Sequence, residues 1–306
     1  MEGLVTRTTG SWYRVMTDGG TVDCRLRGNY RLRGNKQTNP VVVGDRVVFE
    51  LGDDGTGVIG SVCDRRNYIV RKATKLSKQT HVIASNIDLL CVVATLEFPR
   101  TSTGFIDRLL VTAEAYHIPA CVVVNKSDLH DGETEAALVA LREMYEGAGY
   151  RVYVTSAKEG CGIEELRGAI GGKTVLFSGH SGVGKSALLN AIEPSLNLRT
   201  GEVSEWSEKG KHTTTFAEIF PLPTAGAFLI DTPGIKEFGM VDIKAEELGH
   251  FFPEIRERLH GCRFNTCTHT HEPGCAVKQA VDDGEISAER YGNYLGILGQ
   301  IQEDLT

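Results

Sequence analysis

The chain has 306 residues, 41% of them hydrophobic, and a formal net charge of −7, enough for one large core and one or two small ones, so two or three domains are expected. The negative balance argues against a protein that coats nucleic acid generally, and any such contact should be local. No uninterrupted apolar stretch reaches the roughly 20 residues of a membrane span, and Met1-Glu2-Gly3-Leu4 does not open a basic-then-apolar leader, which together give the expectation of a cytoplasmic protein without a membrane partner.

Residues 1–70 read as short strands. Segments such as Ser11–Met16, Thr21–Leu26 and Asp45–Glu50 are β-prone and separated by glycine or Asp-Gly turns, and a small antiparallel barrel of the OB-fold kind is their natural closure. Arg25, Arg27, Arg31, Arg33 and Lys36 bring five positive charges without an acid, with Tyr30 among them. That pattern suits phosphate contact plus base stacking in RNA, and equally a solvated strand edge kept soluble by arginine. A further basic run, Arg65-Arg66 through Arg71-Lys72 to Lys75 and Lys78, reads as a linker.

Across 71–237 the pattern becomes alternating strands and helices. Asp88–Ala94 is a buried strand, a helix is expected from Phe105 to His117, Ala120–Val124 is the next strand, and a helix from about Thr134 to Glu146 leads to the strand Arg151–Thr155. Such alternation implies right-handed βαβ units and a parallel sheet covered on both faces, an α/β fold that binds ligands at the carboxyl ends of its strands. Two loops sit at those ends: Asn125-Lys126-Ser127-Asp128 and Ser156-Ala157-Lys158. A carboxylate at Asp128 accepts from the N1–H and the 2-amino group of guanine together, a donor pair that adenine lacks. Asn125 would brace the loop, the Lys126 stem would lie along base and ribose, and the Ala157 amide would meet the guanine O6.

After the apolar run Thr174–Phe177 comes Gly179-His180-Ser181-Gly182-Val183-Gly184-Lys185-Ser186, followed by the helix-prone Ala187–Ala191. A strand, a GxxxxGKS turn and a helix N-terminus place backbone N–H groups around a polyphosphate; Lys185 would reach the β- and γ-phosphates and the Ser186 hydroxyl would ligate Mg²⁺. Leu198–Lys211 is polar and glycine-punctuated and ends in His212-Thr213-Thr214-Thr215. Thr214 or Thr215 is expected to give a second hydroxyl to Mg²⁺. The strand Ala227–Ile230 then runs into Asp231-Thr232-Pro233-Gly234, an acid that would hold Mg²⁺ through water and a glycine that would meet the γ-phosphate.

Residues 238–306 carry Cys262, Cys267, His269 and Cys275 in the spacing CxxxxCxHxxxxxC. Three thiolates and one imidazole close a tetrahedral Zn²⁺ shell with no position left for water, so the ion would be structural; His271 competes with His269 as the nitrogen ligand. The remaining cysteines, Cys24, Cys63, Cys91, Cys121 and Cys161, are scattered and read as reduced. Lys244–Leu259 and Ser287–Gln302 read as helices, and acidic side chains outnumber basic ones here.

The five nucleotide elements resemble the motifs of translation-factor GTPases, but in the order NKSD, SAK, GHSGVGKS, threonine trio, DTPG, a circular permutation. With a basic β-rich domain before them and a Cys/His cluster after, the chain resembles the ribosome-small-subunit-dependent GTPase A family (RsgA, also called YjeQ) over essentially its whole length. The resemblance implies an OB-fold domain, a permuted GTPase core, a zinc domain whose pattern matches His269, and action on the small ribosomal subunit, its rRNA and its proteins, late in maturation. Ile235 follows Gly234 where many such enzymes carry a water-orienting glutamine, and an aliphatic side chain cannot polarise water. Slow intrinsic turnover is therefore expected, with His212, which can accept from a water at neutral pH, as the candidate replacement beside Lys185 and Thr214. Because DTPG leads directly into the zinc domain, that domain is expected to move with the γ-phosphate. Two other classes fit fewer of these features: a P-loop kinase or ATPase, and a protein that keeps its nucleotide as a structural ligand. No heptad repeat calls for a dimer, and a monomer is expected.

Overall fold

The computed structural model describes residues 1–28, 40–71, 81–198, 217–231 and 243–303. The first five strands, β1 (Glu2–Thr9), β2 (Trp12–Thr17), β3 (Gly20–Leu26), β4 (Arg46–Leu51) and β5 (Gly57–Val62), form a closed barrel. β1 pairs antiparallel with both β2 and β4, β3 runs parallel to β5, and β5 returns antiparallel to β4. Alternation puts Val5, Tyr13, Val15, Val47, Phe49 and Ile59 inside, so closure removes the sheet edges that short strands would otherwise expose.

A hairpin of β6 (Tyr68–Arg71) and β7 (His81–Ser85) leads into the α/β layer. There β8 (Leu89–Ala94), α1 (Thr103–Ala115), β9 (Ala120–Val124), α2 (Gly132–Gly147), β10 (Arg151–Val154), α3 (Ile163–Ile170), β11 (Thr174–Ser178) and α4 (Lys185–Ile192) alternate, and β12 (Glu218–Leu222) and β13 (Ala227–Asp231) follow. The parallel order is β10-β9-β8-β11-β13, with β12 antiparallel at the end. Every residue of β8 is buried: its odd positions face one apolar cluster with α3 and α4, its even positions another with α1 and α2, as a strand covered on both faces requires. Two of the helices on the even-numbered face of β8 begin at capping side chains. Ser102 accepts from the Phe105 amide at the start of α1, and Asp131 with Thr134 closes a reciprocal capping box on α2.

The barrel is joined to this layer at two places. Arg7 of β1 lies opposite Glu218 of β12, which makes one continuous sheet of barrel and core. At the second joint the buried Asp45 carboxylate accepts from Arg65 Nε and Nη2 (2.7 and 2.8 Å), Ser85 Oγ (2.6 Å) and the Val42 amide (2.8 Å). Gly44, at φ +89°, packs against the Ser85 carbonyl so closely that a Cβ has no room. Arg65, expected in a linker, thus belongs to a joint, and Ile69 and Ala84 of the following hairpin pack in the core of the α/β layer.

The C-terminal region folds as turns, α5 (Pro253–Arg256), α6 (Ala276–Asp282) and α7 (Ala288–Glu303) around Leu248, Phe252, Tyr294 and Ile297. The helix expected over Lys244–Leu259 is broken into short turns around α5, because Pro253 has no N–H for a preceding turn and is suited to a first helical position instead. Val111 of α1 belongs to this same apolar cluster. Arg290 of α7, 2% exposed, donates to both Glu254 oxygens (2.6 and 3.0 Å) and to Asp107 Oδ1 of α1 (2.5 Å), while Asn293 Nδ2 donates to Asp107 Oδ2 (2.7 Å). Burial pushes the Asp107 carboxyl up against the pull of Arg290, so this carboxylate depends on its partners. Removing one partner of such a buried pair typically costs about 3–5 kcal/mol. Arg290→Met should therefore lower stability on that scale, seen as a fall in the urea midpoint; an unchanged midpoint would show that the latch contributes nothing.

Candidate nucleotide site and metal cluster

Four segments meet at the carboxyl edge of the parallel sheet: the turn after β11, the loops after β9 and β10, and the end of β13. The first holds Gly179, His180, Ser181, Gly182, Val183 and Gly184 and opens α4 with Lys185, Ser186 and Ala187. Asn125, 1% exposed at the end of β9, ties three of them together. Its Nδ2 donates to the Val183 carbonyl (2.9 Å), and its Oδ1 accepts from Thr155 Oγ1 (3.1 Å) and the Ala157 amide (3.3 Å). Gly184, at φ +88°, lets Asn125 approach: a Cβ there would stand 2.6 Å from Asn125 Nδ2.

Asp128 accepts from Ser156 Oγ at 2.7 Å and has Lys158 Nζ at 3.7 Å. The Ser156 hydrogen bond, with the Lys158 charge behind it, lowers its pKa and keeps the carboxylate ionised, the form that accepts two donors at once. Lys126, in the left-handed region at φ +66°, donates through Nζ to the Phe98 carbonyl in the loop after β8. Lys185 Nζ donates to the Gly179 and His180 carbonyls, both at 2.7 Å, which holds the ammonium inside the turn. Asp231 ends β13, the parallel neighbour of β11, so it reaches the same edge as Ser186.

In the C-terminal region the donor atoms of Cys262, Cys267, His269 and Cys275 lie within 4.8 Å of one another. Cys262 Sγ is 4.0 Å from Cys275 Sγ, and His269 Nδ1 is 3.6 and 3.4 Å from those sulfurs. Those separations suit a tetrahedron with metal–sulfur bonds of about 2.3 Å, whose edges are about 3.8 Å, and the set can hold a metal ion. Supporting groups orient the histidine: Tyr291 Oη donates to the His269 carbonyl and Tyr294 Oη to that of Thr268. Burial opposes the Glu272 charge, but hydrogen bonds from Thr268 Oγ1 and the Thr268 and Thr270 amides outweigh it and hold its carboxyl at about 2. His271 is exposed, with Nδ1 on Thr270 Oγ1, and stands outside the cluster.

Comparison with known proteins fits this geometry. The profile of the RsgA GTPase matches residues 62–241, and that of the RsgA N-terminal domain matches residues 2–59. The chain belongs to the RsgA GTPase family. It is 48% identical over 304 residues to the small ribosomal subunit biogenesis GTPase RsgA of Bacteroides fragilis, covering 99% of this chain and 98% of that one. The corresponding protein of Christiangramia forsetii is 50% identical, with 97% and 96% covered. Among solved structures, YjeQ from Thermotoga maritima superposes with a TM-score of 0.82 at 37% identity over 98% of both chains. YloQ, described as a circularly permuted GTPase, gives a TM-score of 0.78 at 34% identity, covering 99% of this chain and 95% of its own. The RsgA fold of this chain is thus a permuted GTPase core between a β-barrel and a helical region bearing the Cys/His cluster.

Of the residues expected at the RsgA site, the NKSD, SAK and GHSGVGKS residues and Asp231 stand together. His212, Thr214, Thr215, Gly234 and Ile235 lie outside the described residues, as do Tyr30, Arg31, Arg33 and Lys36. Arg27 forms an exposed ion pair with Glu50 of β4 at 2.5 Å, and the Arg25 guanidinium lies 3.9 Å over the Trp12 ring. Sequence reading missed Thr155, whose hydroxyl seats Asn125, and Trp12, Phe98 and Phe105, which no motif marks. Because Gly184 has both a positive φ and Asn125 against its Cα, Gly184→Ala should weaken guanine-nucleotide binding at least tenfold without unfolding the chain. Fluorescent-GDP titration with a thermal melt checks this, and wild-type affinity in the variant would count against the packing described.

Proposed function

We propose that this protein hydrolyses GTP on the small ribosomal subunit during its late maturation, with turnover stimulated by the subunit. The observation that carries the reading is Asn125, which holds the phosphate loop and the base-reading loop on one buried side chain, with Asp128 kept ionised beside it. Asp128 reads guanine; Lys126, Ala157 and the Ser156 and Lys158 flank line the base; the amides from Gly179 to Ala187 with Lys185 hold the phosphates. Magnesium bound with the nucleotide neutralises phosphate charge. Ser186 and Asp231 are its first candidates for ligands, with Thr214 or Thr215 for the γ-phosphate-bound form. His212 takes the role of orienting the attacking water, and Gly234 meets the γ-phosphate. The relatives are named for the small subunit, and the Trp12–Arg25 pair on the barrel offers the stacked aromatic and cation that unpaired RNA bases accept.

Zinc suits the Cys3His set better than the harder divalent ions do, and we assign it a structural role, held by Cys262, Cys267, His269 and Cys275. No described helix is long and apolar enough to cross a membrane, and a monomeric cytoplasmic protein fits a ribosomal substrate.

GTP hydrolysis by the purified protein, measured with small subunits and with large subunits as control, should rise at least tenfold with the small subunit alone. Tight GTP binding with no stimulation would move the reading to a nucleotide-gated binding protein. Asp128→Asn should exchange guanine for xanthine preference, since the amide now donates where the carboxylate accepted; a variant that still prefers GTP removes the base-reading role. Exhaustive chelation should release stoichiometric zinc and erase the near-ultraviolet dichroism of Tyr291 and Tyr294. Purified protein without zinc and with an unaltered spectrum would defeat the metal assignment.

A further inference from the structure

Outside the contacts that bind nucleotide, the phosphate loop is held by a surface that no motif predicts. The imidazole of His180 stacks on the phenyl ring of Phe105, with centroids 3.6 Å apart and planes inclined by 23°. His180 is exposed and Phe105 only half-buried, so this pair does not fill a core. Two residues further along the loop, Gly182 packs against Pro99 in the segment that leads into α1. The His180 carbonyl in turn accepts from Lys185 Nζ. A line of contact therefore runs from Phe105 through His180 to the ammonium that would meet the phosphates.

The same turn of α1 faces the other way onto α7. Thr103 Oγ1 donates to Glu289 Oε1 at 2.6 Å, Gly104 lies against Asn293, and Asp107 receives Arg290 and Asn293. One helical turn is thus gripped by the C-terminal region on one side and presents an aromatic face to the phosphate loop on the other. Burial and the neighbouring Lys185 charge both lower the His180 pKa, which favours a neutral ring on the stack.

We propose that Phe105 is a positioning residue for the nucleotide site: its ring seats His180, and so fixes the phosphate loop and Lys185 before nucleotide arrives. The inference rests on the GTP-binding role assigned above. Pre-organisation of this kind is uniform, helping GTP and GDP alike, so its loss should appear in KM and in nucleotide dissociation constants and leave kcat at saturating GTP unchanged.

The test is a double-mutant cycle on the full-length protein with Phe105→Ala, His180→Ala and the pair, read by fluorescent-GDP and GTP-analogue titration and by steady-state hydrolysis. Each single change should weaken binding by about three- to tenfold, the range of an aromatic stack, and the double change should be no worse than either alone. Phe105→Tyr, which keeps the stacking face, should bind as the wild type does. Additive losses, wild-type affinity in Phe105→Ala, a lowered kcat with unchanged KM, or failure of Phe105→Tyr to restore binding would each overturn the proposal. His180→Ala keeps the cycle interpretable if Phe105→Ala melts early, because an exposed loop side chain is changed: wild-type binding by His180→Ala overturns the stack by itself. Absence of guanine-nucleotide binding in the wild type would instead bring down the functional reading together with this proposal.

Discussion

The nucleotide site depends on one buried amide. Asn125 satisfies its donor on the loop that would hold phosphates and its acceptor on Thr155 and Ala157 after β10, and it does so from the end of β9, in the loop that carries Asp128. A buried side-chain amide without partners is costly, so the three loops are stable only in mutual register. Asn125 and Val183 are 58 residues apart in the chain, and the order in which the loops are threaded is immaterial to the contact. What matters is that β9, β8 and β11 are parallel neighbours in one sheet, with their carboxyl ends on the same side. A permuted chain keeps the site because permutation changes the connections and leaves that neighbourhood intact.

The same distinction between chain order and spatial order governs the C-terminal region. Its sequence position after DTPG suggests a domain carried by the γ-phosphate loop. Its buried contacts are with α1: Val111 in the shared apolar cluster and Asp107 on Arg290, with the exposed Glu114–Arg256 pair at the rim. Any displacement of the region as a body must either bring α1 along or separate Asp107 from its guanidinium. The barrel is held comparably, by the Asp45, Arg65 and Ser85 cluster and by the β1–β12 pairing, so both flanking regions lean on the core through charges that water does not screen.

Much of this was legible in the sequence where the chemistry is contiguous. The NKSD, SAK, GHSGVGKS and Cys/His segments each hold their residues within one turn or loop, so spacing alone implies geometry; the alternation of strand and helix in the core follows from burial on both faces of the sheet. Illegible were the contacts that depend on residues far apart in the chain. Asp107 and Arg290 are 183 positions apart, and each alone reads as an ordinary surface charge. Arg65 sits in a basic run that composition assigns to a linker, yet its carboxylate partner lies 20 positions upstream. The Arg27–Glu50 ion pair is hidden in the same way, because Glu50 belongs to a strand that only closure of the barrel brings near. The helix expected over Lys244–Leu259 is interrupted at Pro253, which opens a new turn and cannot continue the one before it.

The latch at Arg290 also says something about inheritance. Its three charged members come from α1, α5 and α7, so the seam between GTPase core and C-terminal region does not coincide with any cut in the chain. A C-terminal region recombined onto a core with an apolar side chain at position 107 would leave a guanidinium buried with one carboxylate too few, and a core that kept Asp107 under a foreign cap would bury a lone charge. Exchange between relatives is therefore tolerated only when both sides of the seam travel together. Drift at position 107 should be followed by compensation at 254 or 290, so the unit that evolves as one piece is the pair of packed surfaces, whatever the reading frame between them encodes.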